Sequence, residues 1–319
     1  MEQRQLGRSG IDVTRLILGC GNFGGVGSAP STWGKGTPET EAFAIMDTAW
    51  EAGIRVLDTA SSYGGGRSEE FIGRWLASRR PSGIVLSSKA YWPVFEGDDR
   101  GLAPERLRRV AHDSLRRLGV DRIDMYLLHE PDPETPLLES LRALDELRRE
   151  GVIRAFGVSN ADAAHVRKCL RLAEEHGLHR IEWVQNEYSL LVRAAEDEVL
   201  PLCARERLGF TPFSPLAGGW LSGKYRRGEP YPAGSRMLVR PDERFAREDV
   251  HAAVEAFAAE AEALGVQPAT LALAWVLAHP GVTAAVAGPS SVAHLAPALD
   301  ALDVQLAQTE RNKLAALFP

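Results

Sequence analysis

Short apolar runs recur along the chain, and each is followed by a longer segment in which apolar residues return every three or four positions. The runs at 15–18, 54–58 (IRVLD), 84–88 (IVLSS), 124–129 (DMYLLH), 155–159, 182–186 (EWVQN), 210–214 and 282–287 read as short buried strands. Helical spacing predicts helices over 38–52, 68–79, 103–118, 136–149, 161–176 and 196–207. After a long irregular stretch, 217–248, it predicts helices over 249–264 and 268–278, then near 291–301 and 308–317. Local signals set the ends: Pro38 suits a first helical position, and Ser68 reads as an N-cap with Glu69 and Glu70 in the first turn. Ahead of all this, residues 3–13 read as two strands around Gly7-Arg8-Ser9-Gly10, a small hairpin.

Strands alternating with helices demand a parallel sheet covered by helices, and eight such units in 319 residues are what a (β/α)8 TIM barrel needs. The expectation is one domain, 1–319, with an N-terminal hairpin and extra C-terminal helices; no linker or composition shift divides the chain. Gly19-Cys20-Gly21-Asn22-Phe23-Gly24 spells the Rossmann fingerprint G-x-G-x-x-G, but a Gly- and Ser-rich loop follows where that fingerprint needs a helix. Composition narrows the class further. The chain is 45% apolar and carries a formal net charge of −6, which argues against a nucleic-acid binder. Three scattered cysteines form no disulfide framework and no zinc pattern. No apolar run reaches membrane-spanning length and the N-terminus lacks a signal region, so a cytoplasmic protein is expected.

In such a barrel the C-terminal strand ends carry the chemistry. Asp58 ends the second strand with Tyr63 on its loop, Lys89 follows the third, and His129 ends the fourth. Singly, each has a structural alternative: a buried cap, a surface tyrosine, a snorkelling lysine, a backbone-bonded core histidine. Together on adjacent βα junctions they converge on one mouth as a proton-donor site. A free phenol titrates near ~10, so an ammonium at Lys89, paired with Asp58, would tune Tyr63 as an acid, while His129 would hydrogen-bond a carbonyl. Nothing in the set is a nucleophile–base pair or a metal cluster, so a hydride or carbanion partner has to come from a cofactor.

Taken with Leu18-Gly19-Cys20-Gly21, Asp58-Thr59-Ala60, Ser88-Lys89, Leu127-Leu128-His129, Gly157-Val158-Ser159-Asn160, Gln185-Asn186-Glu187-Tyr188 and Phe213-Ser214-Pro215-Leu216-Ala217-Gly218-Gly219 with Gly223-Lys224-Tyr225, these residues make the chain resemble the aldo-keto reductases over essentially its whole length. The resemblance implies a catalytic tetrad of Asp58, Tyr63, Lys89 and His129, a small carbonyl substrate, and NADPH, with NADH as the alternative. It implies that Ser159, Asn160 and Gln185 bond the cofactor's carboxamide and that Phe213 stacks on the ring. Ser214, Leu216 and Gly218 would contact the pyrophosphate, with Gly21, Asn22, Gly288, Ser290 and His294 completing the cofactor site.

One motif departs from the family. Where relatives carry Arg for the 2′-phosphate this chain has Ser291, and where they carry Asn facing adenine it has Ala298. Arg226, Arg227 or Arg236 could replace the missing guanidinium, or the preference for NADPH is weakened. Phe23, Trp33, Tyr91, Trp92 and Trp220 are expected to rim the substrate pocket, or else to pack beneath loops. Residues 24–37 form a Gly-rich insertion that reads either as a mobile lid or as a floppy surface loop. Two further functions fit the same residues: reduction of a nucleotide-activated keto or enoyl sugar, and a cofactor-binding regulatory barrel like the channel β subunits. Oligomeric state is not legible.

Overall fold

The computed structural model describes residues 1–319. Two antiparallel strands, β1 (Gln3–Gln5) and β2 (Asp12–Thr14), form the hairpin. Eight parallel strands follow: β3 (Leu16–Gly19), β4 (Val56–Asp58), β5 (Val85–Ala90), β6 (Ile123–Leu128), β7 (Ile153–Ser159), β8 (Trp183–Gln185), β9 (Gly209–Phe210) and β10 (Ala285–Ala287). They pair in chain order, with β10 beside β3. The ring closes where Thr283 N donates to Phe210 O at 2.9 Å and Val286 N to Pro212 O at 2.8 Å. The expected strand at 210–214 is regular only as far as Phe210, because Pro212 has no N–H to give the ladder.

The first six helices are α1 (Glu39–Glu51), α2 (Arg67–Arg79), α3 (Pro104–Leu118), α4 (Leu137–Arg149), α5 (Ala163–Glu175) and α6 (Val199–Glu206). They are followed by the short α7 (Arg236–Val239), then α8 (Glu248–Ala263), α9 (Pro268–Leu277), α10 (Ala296–Asp300) and α11 (Gln308–Ala315). None is long and apolar enough to cross a membrane. Two start signals act differently from expectation. Pro38 is the residue before α1 rather than its first member. Ser68 lies inside α2, and its hydroxyl bonds Cys20 O and Thr59 Oγ1 instead of capping. Gly66, at φ 87°, enters the helix instead.

The core has two shells. Ile17, Val56, Met125, Leu127, Ala155, Trp183, Ala284 and Val286 fill the barrel interior, and Leu6, Ile11 and Val13 of the hairpin plug its N-terminal end. Their sequence neighbours Leu16, Leu18, Leu57, Tyr126, Leu128 and Phe156 face the helices in a much larger outer cluster. Strand alternation has a direct consequence at the other end of the barrel. Two residues above Val56 comes Asp58, above Leu127 comes His129, and above Trp183 comes Gln185. Each continues an inward-facing row, so the polar residues at the rim point into the mouth.

Candidate active site

Lys89 is 0% exposed, and its ammonium is fixed from two sides. Nζ donates to Asp58 Oδ2 at 2.6 Å and to Thr59 O at 2.8 Å. Asp58 is held in turn: Oδ1 accepts from Ser87 Oγ at 2.7 Å and from Gln185 Nε2 at 3.2 Å. Burial works against the Lys89 charge, but Asp58 and Tyr63 more than offset it, and its pKa stands above that of an ordinary lysine. Tyr63 lies with its ring centroid 5.0 Å from Lys89 Nζ. Burial pushes its phenol up, and the opposing pull of Lys89 does not cancel it. The expected lowering by Lys89 is therefore present but outweighed, and Tyr63 keeps its proton at neutral pH.

His129 is 8% exposed and meets Tyr63 edge to face at 5.6 Å. Burial, then the nearby Lys89 charge, holds its pKa well below 6.5, so the ring is neutral at pH 7. Gly21 backs the phenol: a Cβ there would stand 3.5 Å from the Tyr63 ring. Asp58, Tyr63, Lys89 and His129 thus meet in one place.

Beside them lies a polar shelf. Ser159 Oγ donates to Gln185 O at 2.7 Å, and Asn160, at φ 53°, donates through Nδ2 to His129 O at 2.9 Å and Glu130 Oε1 at 3.1 Å. Gln185, expected on a carboxamide, directs one amide N–H to Asp58 at 3.2 Å, and its Oε1 bonds nothing in the chain. Phe213 is partly exposed and packs on the inner barrel cluster. After it, Ser214, Ala217, Gly218 and Gly219 all take positive φ, at 55°, 47°, 67° and 102°. Leu216 lies between them, half-buried.

The three candidate arginines separate cleanly. Arg226 faces Glu229 at 4.0 Å, and Arg227 reaches Glu248 at 2.6 Å and Glu255 at 3.5 Å. Arg236 pairs with no carboxylate, lies against Gly218, and is close enough to Tyr63 to affect its titration. Lys224 also lacks a carboxylate partner. Its charge adds to burial in lowering the pKa of His294. His294 Nδ1 and Ser290 Oγ are 3.0 Å apart, and Asn22 Nδ2 donates to Gly288 O at 3.1 Å. Ser291 is half-buried, whereas Ala298 is buried.

The aromatic rim is smaller than expected. Phe23 and Trp220, 0% and 1% exposed, belong to the outer core, so neither lines a pocket. Trp220 sits among Tyr225, Tyr231, Phe245 and His251, where a large ring stabilises most by full burial. Tyr91 is largely buried in an edge-to-face pair with the half-buried Trp92, their centroids 4.9 Å apart. Trp33 packs its indole over Gly65.

The 24–37 insertion is knitted to the site. Gly24 N donates to Thr37 O, Gly27 N to Gly21 O, and Gly64 N to Gly27 O, at 2.9, 2.7 and 3.1 Å. A Cβ on Gly25 would lie 2.6 Å from Gly64 Cα, so the loop's approach to the Tyr63 turn requires glycine. Among the residues that sequence reasoning missed, Ser87 was findable, lying two before Lys89 on the same strand face. Glu130 had no signal beyond adjacency to His129.

The aldo/keto reductase family profile matches residues 15–318. The chain is 37% identical to the uncharacterized oxidoreductase YrpG of Bacillus subtilis (strain 168), covering 100% of this chain and 96% of that one. It is 32% identical to a probable voltage-gated potassium channel subunit beta of Oryza sativa subsp. japonica, over 95% and 92% of the two chains. It is also 32% identical to protein tas of Escherichia coli (strain K12), over 97% and 95%. A barrel with these strand-end residues, matched by the profile almost end to end, is a member of the aldo/keto reductase family, whose enzymes are NAD(P)H-dependent oxidoreductases.

Proposed function

We propose that the protein reduces an aldehyde or ketone to an alcohol with NADPH, and that Tyr63 delivers the proton. The observation that carries this reading is the convergence of Asp58, Lys89, Tyr63 and His129 on one rim, with Lys89 clamped at 2.6 Å. A reduced nicotinamide, when bound, supplies the hydride. Tyr63 donates its proton at the carbonyl oxygen, and the adjacent Lys89 ammonium stabilises the phenolate left behind. Asp58, fastened by Ser87 and Gln185, keeps that ammonium oriented. Neutral His129 retains one ring N–H to donate to the same oxygen.

The residues present fit a nicotinamide dinucleotide. Arg236 and Lys224 are cations without carboxylate partners, one near Tyr63 and one near His294, a pattern suited to phosphate groups. Ser159 and Asn160 would hold the carboxamide, Phe213 the ring, and the left-handed turn at 214–219 the pyrophosphate. Lys224, with Ser290 and His294, would take the 2′-phosphate that Ser291 cannot hold.

The test is a tryptophan-fluorescence titration with NADPH and with NADH, followed by NADPH oxidation against a panel of aldehydes and ketones. Tighter NADPH binding with carbonyl-dependent oxidation is expected. Binding of neither nucleotide would sink the cofactor reading. Binding without turnover would instead make the protein a cofactor-holding barrel, the reading that its potassium-channel β-subunit relative suggests.

A further inference from the structure

Asn160 is the last member of a chain of fixed groups. Its backbone is held in the left-handed region at φ 53°, and its N–H donates to Gln185 O at 3.2 Å. What stays open is which way the side-chain amide faces. Nδ2 has three oxygens in front of it: His129 O at 2.9 Å, Glu130 Oε1 at 3.1 Å and Ser159 Oγ at 3.4 Å. Turning the amide over would set Oδ1 against a carbonyl and a carboxylate, acceptor against acceptor. With Nδ2 so engaged, Oδ1 bonds nothing in the chain and is free to accept from a ligand.

Glu130 is the charged member of that set. It is half-buried, and no ion pair competes for its carboxylate. A bond to a carboxylate is roughly twice as strong as one to a neutral carbonyl, so Glu130 outweighs His129 O in holding the amide. Ser159 Oγ, its proton committed to Gln185 O at 2.7 Å, can only accept from Nδ2, and at 3.4 Å it does so weakly.

We propose that Glu130 is a positioning residue that locks Asn160 with its oxygen toward the nicotinamide carboxamide, so that the site selects cofactors whose ring carries a primary amide. The inference rests on the nicotinamide reading above and deepens it.

The probe is reduced 3-acetylpyridine adenine dinucleotide phosphate, whose methyl ketone accepts hydrogen bonds but cannot donate one. Dissociation constants for it and for NADPH are compared in the wild type, Glu130→Ala and Glu130→Gln. Wild type is expected to prefer NADPH about tenfold, the size of one lost and unsatisfied bond. Glu130→Ala should shrink that ratio about threefold or more, because the amide can then turn and meet the ketone with its N–H. Glu130→Gln, which keeps a neutral oxygen for Nδ2 at about half the strength, should fall between wild type and the apolar variant. If Glu130→Ala fails to fold, Glu130→Leu preserves the bulk and is expected to behave in the same way. An absent wild-type preference, an unchanged ratio in the apolar variant, or an equal collapse in Glu130→Gln would each overturn the proposal while leaving the cofactor reading intact. Wild type binding neither nucleotide would overturn the cofactor reading and this inference with it.

Discussion

Lys89 and Lys224 show how differently two cations of the proposed site are held. Lys89 is fully buried, rises from a regular strand and has two fixed oxygen partners, at 2.6 and 2.8 Å. Lys224 is exposed, stands in a long loop after β9, and has an aromatic face 5.2 Å away but no carboxylate. At the chemical end Lys89 and Asp58 answer each other within the chain, so their geometry is set before any ligand arrives. At the proposed phosphate end the cations have no carboxylate partner, which suits them to a partner from outside. A rigid centre suits bond making, whereas unpaired loop cations suit recognition and leave room for the family's usual arginine to be lost.

The largest expected effect breaks the chemical end. Tyr63→Phe should lower kcat by about 10²–10⁴-fold, the usual contribution of a positioned general acid, while NADPH binds nearly as before. Steady-state kinetics beside fluorescence titration reads both quantities. Turnover close to wild type would remove Tyr63 from the mechanism.

Next come the unanswered cations. Losing a charge-assisted phosphate contact of about 1.5–3 kcal/mol predicts that Lys224→Ala and Arg236→Ala each weaken NADPH by roughly 10- to 100-fold. Their specificity should differ. Arg236, lying against Gly218, is expected to weaken NADPH and NADH alike, whereas Lys224, beside His294, should affect NADPH selectively. Identical selectivity in the two variants would mean that the ends of the cofactor have been misplaced.

A third measurement sharpens the contrast through stability. His129 has a folded pKa well below the unfolded value of about 6.5, so the unfolded chain binds more protons between those two values. Its contribution is fully present above pH 6.5 and is lost as pH falls, by up to about 1.4 kcal/mol per pH unit. Urea unfolding at pH 7 and pH 5.5 should therefore show a steeper loss for wild type than for His129→Asn. Equal slopes would mean that His129 is not held neutral by burial. The smallest effect is expected from Ser291→Arg, which should tighten NADPH about fivefold and NADH little. That change corresponds to about 1 kcal/mol from one partly exposed phosphate contact. Equal tightening of both nucleotides would put position 291 away from the 2′-phosphate.

Much of the chemical end was legible because strand periodicity is local. Once Val56-Leu57-Asp58 and Met125-Tyr126-Leu127-Leu128-His129 are read as strands, alternation alone puts Asp58 and His129 on the inward row. Ser87 follows from the same rule. The aromatic rim was less legible: Phe23 and Trp220 sit in loops near the mouth, and nothing in their neighbours in sequence reveals that distant rings enclose them. The 24–37 insertion, equally compatible with a lid or a floppy loop, is tied to Gly21, Thr37 and Gly64 by backbone bonds that composition does not encode.

By itself, the sequence determined the strand–helix alternation, the barrel it demands, and the acid, phenol, ammonium and imidazole placed at neighbouring strand ends. Those features depend on side-chain periodicity and on turn chemistry, which act within a few residues. The tertiary structure decided which of the three candidate arginines is left without a carboxylate. It also decided that burial outweighs Lys89 at Tyr63, and that Glu130 and the His129 carbonyl together orient Asn160. Each of these is a balance of charge, desolvation and hydrogen bonding among residues far apart in sequence, and such balances exist only once the chain has closed on itself.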